Sequence, residues 1–236
     1  NKCLTGLITS CHGVVNPKIT IVDNNSSDNT TRVIKEIRPT SVSISLIKNN
    51  FNAGFAKAVN QGINRNIECD YFLFINPDTV IKKDTIRKVI ESQKNNNAGI
   101  VGVKMVGVNG KSNGSYFRFP NLLVGLFDMT NLRKLDFKDK WHKYFYYLDY
   151  IDQHGDFPVD VVTGGFMLST AKTIKTLKGL DERYFMYLED VDFCKRAEKA
   201  GISRYICNTD IVHVGGASSQ NKNRTRHASW MKSRKI

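Results

Sequence analysis

The chemistry open to this chain is concentrated at a few acidic and imidazole positions, above all the adjacent pair Glu189 and Asp190. The pair stands between an aromatic and apolar run, residues 184–188, and a stretch in which Val191, Cys194, Ala197 and Ala200 recur at helical spacing, with Gly201 as a stop. That spacing predicts a helix whose first turn carries both carboxylates. Unpaired N–H groups at a helix start hold a carboxylate ionised and aimed, which is what a general base needs. Acidic residues also open many helices that do no chemistry; the apolar run leading into this pair is what points it toward a cleft. Asp192 is expected to face elsewhere, because two helical positions rotate a side chain by roughly 200°, and to pair with Arg196 on the next turn.

Other polar groups gather where apolar runs end. Asp23 and Asn24 follow residues 19–22, Asn76 and Asp78 follow residues 71–75, and Thr163, Gly164 and Gly165 follow residues 159–162. His213 lies in a further apolar run ahead of Gly215 and Gly216. A strand-end acid, an imidazole on another strand and a base at a helix start could hold a divalent metal with a diphosphate, a good leaving group. His213 also reads as a hydrogen-bonded core histidine.

The elements that must position these groups read as a repeated βα pattern. A short amphipathic helix over 2–11 precedes a strand over 19–22 and a helix from Thr30 that Pro39 stops. Val42, Ile44 and Leu46 alternate with serines as a strand. The loop 49–54, with Asn52 and Gly54, then leads into a helix from Phe55 that carries Lys57. Residues 71–75 are wholly apolar, as at the buried centre of a sheet, and Pro77 ends them. A helix capped by Asp84 and a strand over 100–103 complete an open α/β sheet, whose ligands bind outside the carboxyl ends of its strands. Beyond Met105, Asn109-Gly110 signals a hairpin between 105–108 and 115–119. The stretch 122–157 is aromatic and basic, with Trp141, Tyr144, Phe145, Tyr146, Tyr147 and Tyr150. It either packs an irregular subdomain or walls an acceptor sugar or lipid.

With 236 residues, 41% of them hydrophobic, the chain can bury a substantial core. No run approaches the roughly 20 apolar residues of a membrane span, and no basic-then-apolar leader opens it, so cytoplasmic residence is expected. Cys3, Cys11, Cys69, Cys194 and Cys207 are scattered without a Cys-x-x-Cys pair and read as reduced thiols. The net charge of +13 invites an anionic partner. Much of the excess lies in the tail 219–236, where Lys222, Arg224, Arg226, Lys232, Arg234 and Lys235 meet no acid, and no nucleic-acid motif accompanies them. The tail is either simply solvated or, with Trp230 and Met231 among its charges, turned to an anionic membrane surface or a diphosphate.

Taken in order, six motifs resemble the family 2 glycosyltransferases. They are Ile21-Val22-Asp23-Asn24-Asn25-Ser26-Ser27-Asp28, the Asn50-x-x-x-Gly54-Phe55-Ala56 core of 49–62, Phe74-Ile75-Asn76-Pro77-Asp78, Thr163-Gly164-Gly165-Phe166-Met167, the run 181–192, and His213-Val214-Gly215-Gly216-Ala217-Ser218. The similarity runs from about Leu4 to Ser218, fails in the aromatic stretch, and is greatest to the rhamnosyltransferase-like and galactofuranosyltransferase-like branch. The resemblance implies an α/β GT-A fold: an open, mostly parallel Rossmann-like sheet flanked by helices, with a smaller mixed acceptor-side subdomain. It also implies inverting transfer of a sugar from a nucleotide-diphosphate donor, of dTDP or UDP type, to a hydroxyl of a glycan or lipid-linked acceptor. The setting implied is bacterial cell-surface polysaccharide synthesis at the inner face of the plasma membrane.

By the family pattern Asp190 is the base and Glu189 its support, while Asp78 and His213 hold Mg²⁺ or Mn²⁺. Asp23, Asn24, Asn52, Gly54, Lys57 and Asn76 lie along the nucleotide sugar, and Thr163, Gly164 and Gly165 line the acceptor side. Residues 1–104 would form the donor-binding half, 105–218 the acceptor-binding and catalytic half, and 219–236 a basic tail. The sequence departs from the pattern in carrying Asn24 and Asn76 where many members have Asp, and in beginning at a helix where the family opens with a strand. Two rival readings make different demands. A nucleotidyltransferase calls for a glycine-rich, basic phosphate loop, which residues 1–18 do not supply. A non-catalytic nucleotide-sugar-binding domain would bind nucleotide without hydrolysing a donor.

Overall fold

Alternating helices and strands fill the first half of the chain, in the computed structural model that describes residues 2–37, 42–112, 114–120, 140–148, 155–214 and 233. In order they are α1 (Lys2–Ser10), β1 (Lys18–Asp23), α2 (Thr30–Glu36), β2 (Ser43–Lys48), α3 (Phe55–Arg65), β3 (Tyr71–Ile75), β4 (Thr79–Val80), α4 (Thr85–Asn96) and β5 (Ile100–Val106). The second half supplies β6 (Tyr116–Phe117), α5 (Lys140–Phe145), β7 (Phe157–Pro158), β8 (Val161–Val162), β9 (Phe166–Thr170), α6 (Ala171–Leu177), α7 (Glu189–Lys199) and β10 (Arg204–His213). The stop at Pro39, most of the aromatic stretch with Tyr150, the glycines 215–216 and the basic tail apart from Ser233 lie outside the described residues.

Strand order in the main sheet is β3-β9-β5-β10-β4, with β7 also on β10, while β1 pairs with β2 and β6 with β8. The α/β architecture is as expected, but the pairing is mixed rather than mostly parallel. β1–β2 and β5–β10 are parallel, whereas β9 lies antiparallel between β3 and β5, with Met167 opposite Phe74 on one side and Gly102 on the other. By taking that slot, β9 moves β3 from the expected centre to the end of the path. β3 is apolar throughout for a different reason: its two faces enter two cores. Phe72 and Phe74 join a cluster with Met167, Phe193 and Ala197, while Tyr71, Leu73 and Ile75 pack against one holding Leu7, Ile19, Val89, Val101 and Ile211. Complete burial of an aromatic such as Phe193 stabilises by about 1.5–3 kcal/mol.

Two local expectations are corrected by longer-range partners. Asp84 stands at the N-cap of α4, but its carboxylate pairs with Lys88 at 2.6 Å and makes no cap bond. The N–H of Ile86 donates instead to Ser10 Oγ at 3.1 Å, so the buried end of α1 caps α4. The Asn109-Gly110 turn forms, with Gly110 at φ 74°, but closes only on a Val106–Ser112 bridge. The returning Tyr116 and Phe117 pair with β8 rather than β5. Within the aromatic stretch, Tyr147 is buried in the core and Phe145 stacks on Phe117 at 5.5 Å, whereas Trp141 and Tyr144 are exposed. All the cysteines are free.

Candidate active site

Where β3 ends, the backbone of Asn76 is fixed from both sides. Its N–H donates to Gly165 O at 2.9 Å, and its carbonyl accepts the Thr79 hydroxyl at 2.8 Å. This turn brings Asp78 to the end of β10, where Val214 N–H donates to the Asp78 carbonyl at 2.9 Å and His213 Nε2 lies 3.0 Å from Asp78 Oδ1. The histidine is thus the partner of a strand-end acid, with its side chain 22% exposed, and not a sealed core residue. One residue before Gly165, the N–H of Gly164 donates to Asp190 Oδ2 at 3.1 Å. The neighbouring glycines tie the Asp78–His213 pair and the Glu189–Asp190 pair into one rim. A Cβ on Gly164 would lie 3.0 Å from the Phe55 ring and 4.0 Å from Asp190 Cβ, so a side chain there would crowd the rim.

The acidic pair opens α7 as expected, yet its electrostatics are the reverse of the expectation. Burial, followed by the charge of Asp190, pushes Glu189 up to about 8. Asp190 is raised as well: burial outweighs the N–H bonds it accepts from Gly164 and from Val191 at 2.9 Å. Desolvation therefore wins over the helix terminus, and Glu189 keeps its proton at neutral pH. Glu189 Oε2 and Thr163 Oγ1 are both buried without a hydrogen-bond partner among the described residues. The segment feeding the pair is strained, with Tyr187 and Leu188 both at φ 70°; each left-handed non-glycine residue costs of order 1–3 kcal/mol and persists only where its surroundings enforce it. Asp192 points away as expected and pairs with Arg196 at 2.8 Å, and Arg196 also donates to the carbonyls of Leu177 at 2.6 Å and Gly179 at 3.1 Å.

The donor-side candidates form a second cluster joined to the first. Asp23 is buried, its Oδ1 accepting Ser26 N–H at 3.0 Å and its Oδ2 the Thr31 hydroxyl at 3.3 Å. Asn24 Nδ2 donates to Gly54 O at 3.1 Å and its Oδ1 accepts Asn49 Nδ2 at 2.8 Å, while Asn52 Oδ1 accepts Gly54 N–H at 3.0 Å. Gly54, at φ 88°, touches the loop ahead of the acidic pair: a Cβ on it would sit 2.5 Å from Phe185 O, which accepts Phe55 N–H at 2.8 Å. Lys57 is exposed on α3. Three participants escaped the sequence reading. Asn49 and Gln61 exchange amide hydrogen bonds at 2.9 and 3.0 Å, and Phe185 links the two clusters. The only cue was the position of Asn49 and Gln61 at either end of one motif.

Among the described residues no group of three or more His, Cys, Asp or Glu side chains is arranged to hold a metal. Asp78 with His213 offers a hard oxygen and an imidazole nitrogen side by side. Magnesium-type sites commonly use one or two protein donors and complete their shell with water and substrate phosphate oxygens, so this pair fits such an ion held jointly with a diphosphate.

Comparison with known proteins bears on what such a rim does. The model of the family described as glycosyl transferase family 2 matches residues 2–156. The chain is 29% identical over 147 residues to rhamnosyltransferase WbbL of Escherichia coli (strain K12), covering 61% of this chain and 52% of that one. It is 26% identical over 207 residues to N-acetylglucosaminyl-diphospho-decaprenol L-rhamnosyltransferase of Mycobacterium tuberculosis, covering 83% and 66%. The chain thus spans between 52% and 66% of the length of these relatives. Among solved structures, S. aureus TarS 1-349 in complex with UDP-GlcNAc superposes with a TM-score of 0.59 at 16% identity, covering 91% of this chain and 56% of that one. GalNAc-T7 with UDP, GalNAc and Mn²⁺ gives 0.60 at 12% identity, covering 83% and 37%. The architecture shared with them is the GT-A fold.

Proposed function

The chain belongs to glycosyl transferase family 2, and from that premise we propose that it is a metal-dependent inverting glycosyltransferase. It moves a sugar, rhamnose or another hexose, from a dTDP- or UDP-type donor to a hydroxyl of a glycan or lipid-linked acceptor in cell-surface polysaccharide synthesis. The observation that carries this reading is the single rim on which Gly164 holds Asp190 while Gly165 holds the turn leading to Asp78 and His213. In-line displacement at a sugar carbon needs a base on one side and charge neutralisation on the other, and the two pairs supply them.

Asp190 takes the proton from the acceptor hydroxyl. Its raised affinity for protons makes it a stronger base than an exposed carboxylate, and the N–H groups of Gly164 and Val191 keep it aimed. Glu189, protonated at neutral pH, supports it without adding a second charge. Asp78 and His213 hold Mg²⁺ or Mn²⁺, which when bound offsets the charge developing on the departing diphosphate. Asp23, Asn24, Asn52, Gly54, Lys57 and Asn76 shape the donor side, within residues 1–104. Thr163, Gly164 and Gly165 line the acceptor side, within residues 105–218.

The test is transfer from a panel of dTDP- and UDP-sugars with and without Mg²⁺ or Mn²⁺. Transfer that requires the metal and disappears in Asp190→Asn, while nucleotide binding survives, is the expected result; transfer surviving in that variant sinks the assignment of the base. Nucleotide binding without any donor turnover favours the non-catalytic alternative. No helix among the described residues is long and apolar enough to cross a membrane, and the basic tail is the proposed contact with an anionic inner-membrane surface. Vesicle binding should then weaken with salt and on truncation at Ser219.

A further inference from the structure

The C-terminal end of α7 borders a cavity of about 510 Å³, walled among the described residues by Arg118, Tyr147, Asp160, Glu198, Ser203 and Arg204. Its size is that of an ordinary small-ligand pocket. None of these side chains belongs to the rim: Glu198 lies about 14 Å down the helix axis from Glu189. The polar groups are held in place before any ligand arrives. The Arg118 guanidinium sits between two rings, 4.1 Å from the centroid of Tyr144 and 4.2 Å from that of Tyr147, and its Nε donates to Tyr144 O at 3.2 Å. Arg204 is braced by the carbonyls of Val159 at 3.3 Å and Ile202 at 2.9 Å. Asp160 Oδ2 accepts Phe119 N–H at 3.0 Å, and Glu198 Oε2 accepts Lys195 Nζ at 2.5 Å. Burial and the neighbouring Asp160 push the Tyr147 hydroxyl to about 12, so it remains protonated at any working pH.

The sign of the wall decides between ligand classes. An anion would meet Asp160 and the negative end of the α7 dipole, whereas a cation would meet Arg118, Arg204 and the Lys195 paired with Glu198. Arg118, Arg204 and the Lys195 paired with Glu198 are set against Asp160, Glu198 and the negative end of the helix, leaving converging donors and acceptors and no strong field of one sign. A neutral polyhydroxylated ring, whose hydroxyls both give and accept hydrogen bonds, uses both kinds. The Tyr144 and Tyr147 faces nearest Arg118 are covered by it, and Tyr205 is a further ring on the wall.

We propose that this cavity is a second saccharide site, holding a neutral sugar unit of the acceptor glycan away from its reacting end; the acceptor role rests on the glycosyltransferase reading of the rim. Saturation-transfer NMR on the full chain, with rhamnose-, galactose- and glucose-based trisaccharides as probes, tests it. At least one trisaccharide should bind equally well to the unmodified protein and to Asp190→Asn. Its affinity should fall at least fivefold in the double variant Glu198→Gln/Ser203→Ala, both half-exposed or exposed positions chosen to leave the fold intact, and in Arg118→Lys. Binding by none of the probes, binding untouched by the double variant, or displacement of the sugar by inorganic pyrophosphate overturns the proposal. Donor hydrolysis measured on the same samples separates the two readings. Absent hydrolysis with cavity-dependent sugar binding intact counts against the rim and supports the cavity.

Discussion

Asp23 and Glu189 are buried to nearly the same extent, 3% and 6% exposed, yet the protein treats these two acids in opposite ways. Asp23 closes strand β1 and is given donors for both oxygens, Ser26 N–H and the Thr31 hydroxyl. Glu189 opens α7 beside another acid, and its Oε2 is buried with no partner among the described residues. A buried carboxylate surrounded by donors is a structural fixture that shapes a loop. One left short of donors next to a like charge resolves the conflict by keeping its proton. The N-terminal half is therefore organised for rigidity, through Asp23 and the amide network of Asn24, Asn49 and Gln61. The half that carries Glu189 and Asp190 keeps poorly satisfied acids at a cost, visible also in the left-handed Tyr187 and Leu188.

Exchanging each acid for its amide breaks this contrast most directly. Asp190→Asn should lower the transfer rate by about 10²–10⁴, the usual worth of a positioned general base, with little change in melting temperature. Steady-state kinetics beside calorimetry checks both halves of that statement. Asp23→Asn should show first in stability. Its NH₂ end must face a donor, costing about 1–3 kcal/mol of stability, read as a fall in denaturation midpoint at unchanged m-value; a variant as stable as the parent would remove the distinction between the two halves.

The pH dependence sharpens the comparison further. Glu189 titrates at about 8 in the folded protein against an ordinary 4.5. Between those values the folded chain holds a proton that the unfolded chain has released. Stability conferred by that proton is complete below about pH 4.5 and is lost as pH rises through about 8, with a slope of up to about 1.4 kcal/mol per pH unit from this group. Urea titrations at pH 5, 6.5 and 8 should show the decline, and Glu189→Gln should flatten it to the share of Asp190. The smallest effect belongs to Asp192. Removing its partly exposed pair with Arg196 by Asp192→Ala should cost below about 1 kcal/mol and leave transfer within about twofold of the parent; a large loss of rate would move Asp192 into the site.

Much of this was legible in the sequence because its cause is local. Helix and strand periods, the Gly201 stop, the Asn109-Gly110 turn and the Asp192–Arg196 pair depend on residues within a few positions of each other, so pattern alone locates them. The ordered motifs marked Asp78, His213, Gly164 and Asp190 as one set, and the structure brings these together. Strand order was not legible. Nothing in the apolar run of β3 distinguishes a central strand from an end strand whose faces enter two cores.

The acidic pair shows where the division falls. Its position in the first turn of a helix follows from the sequence alone, since the spacing of Val191, Cys194 and Ala197 fixes the helix around it. Its charge does not. Protonation depends on how much water the packed neighbours exclude, and that exclusion comes from segments such as β8 and the 163–165 turn that are distant in the chain. The aimed carboxylate was thus determined by sequence, and its proton affinity only by the tertiary fold.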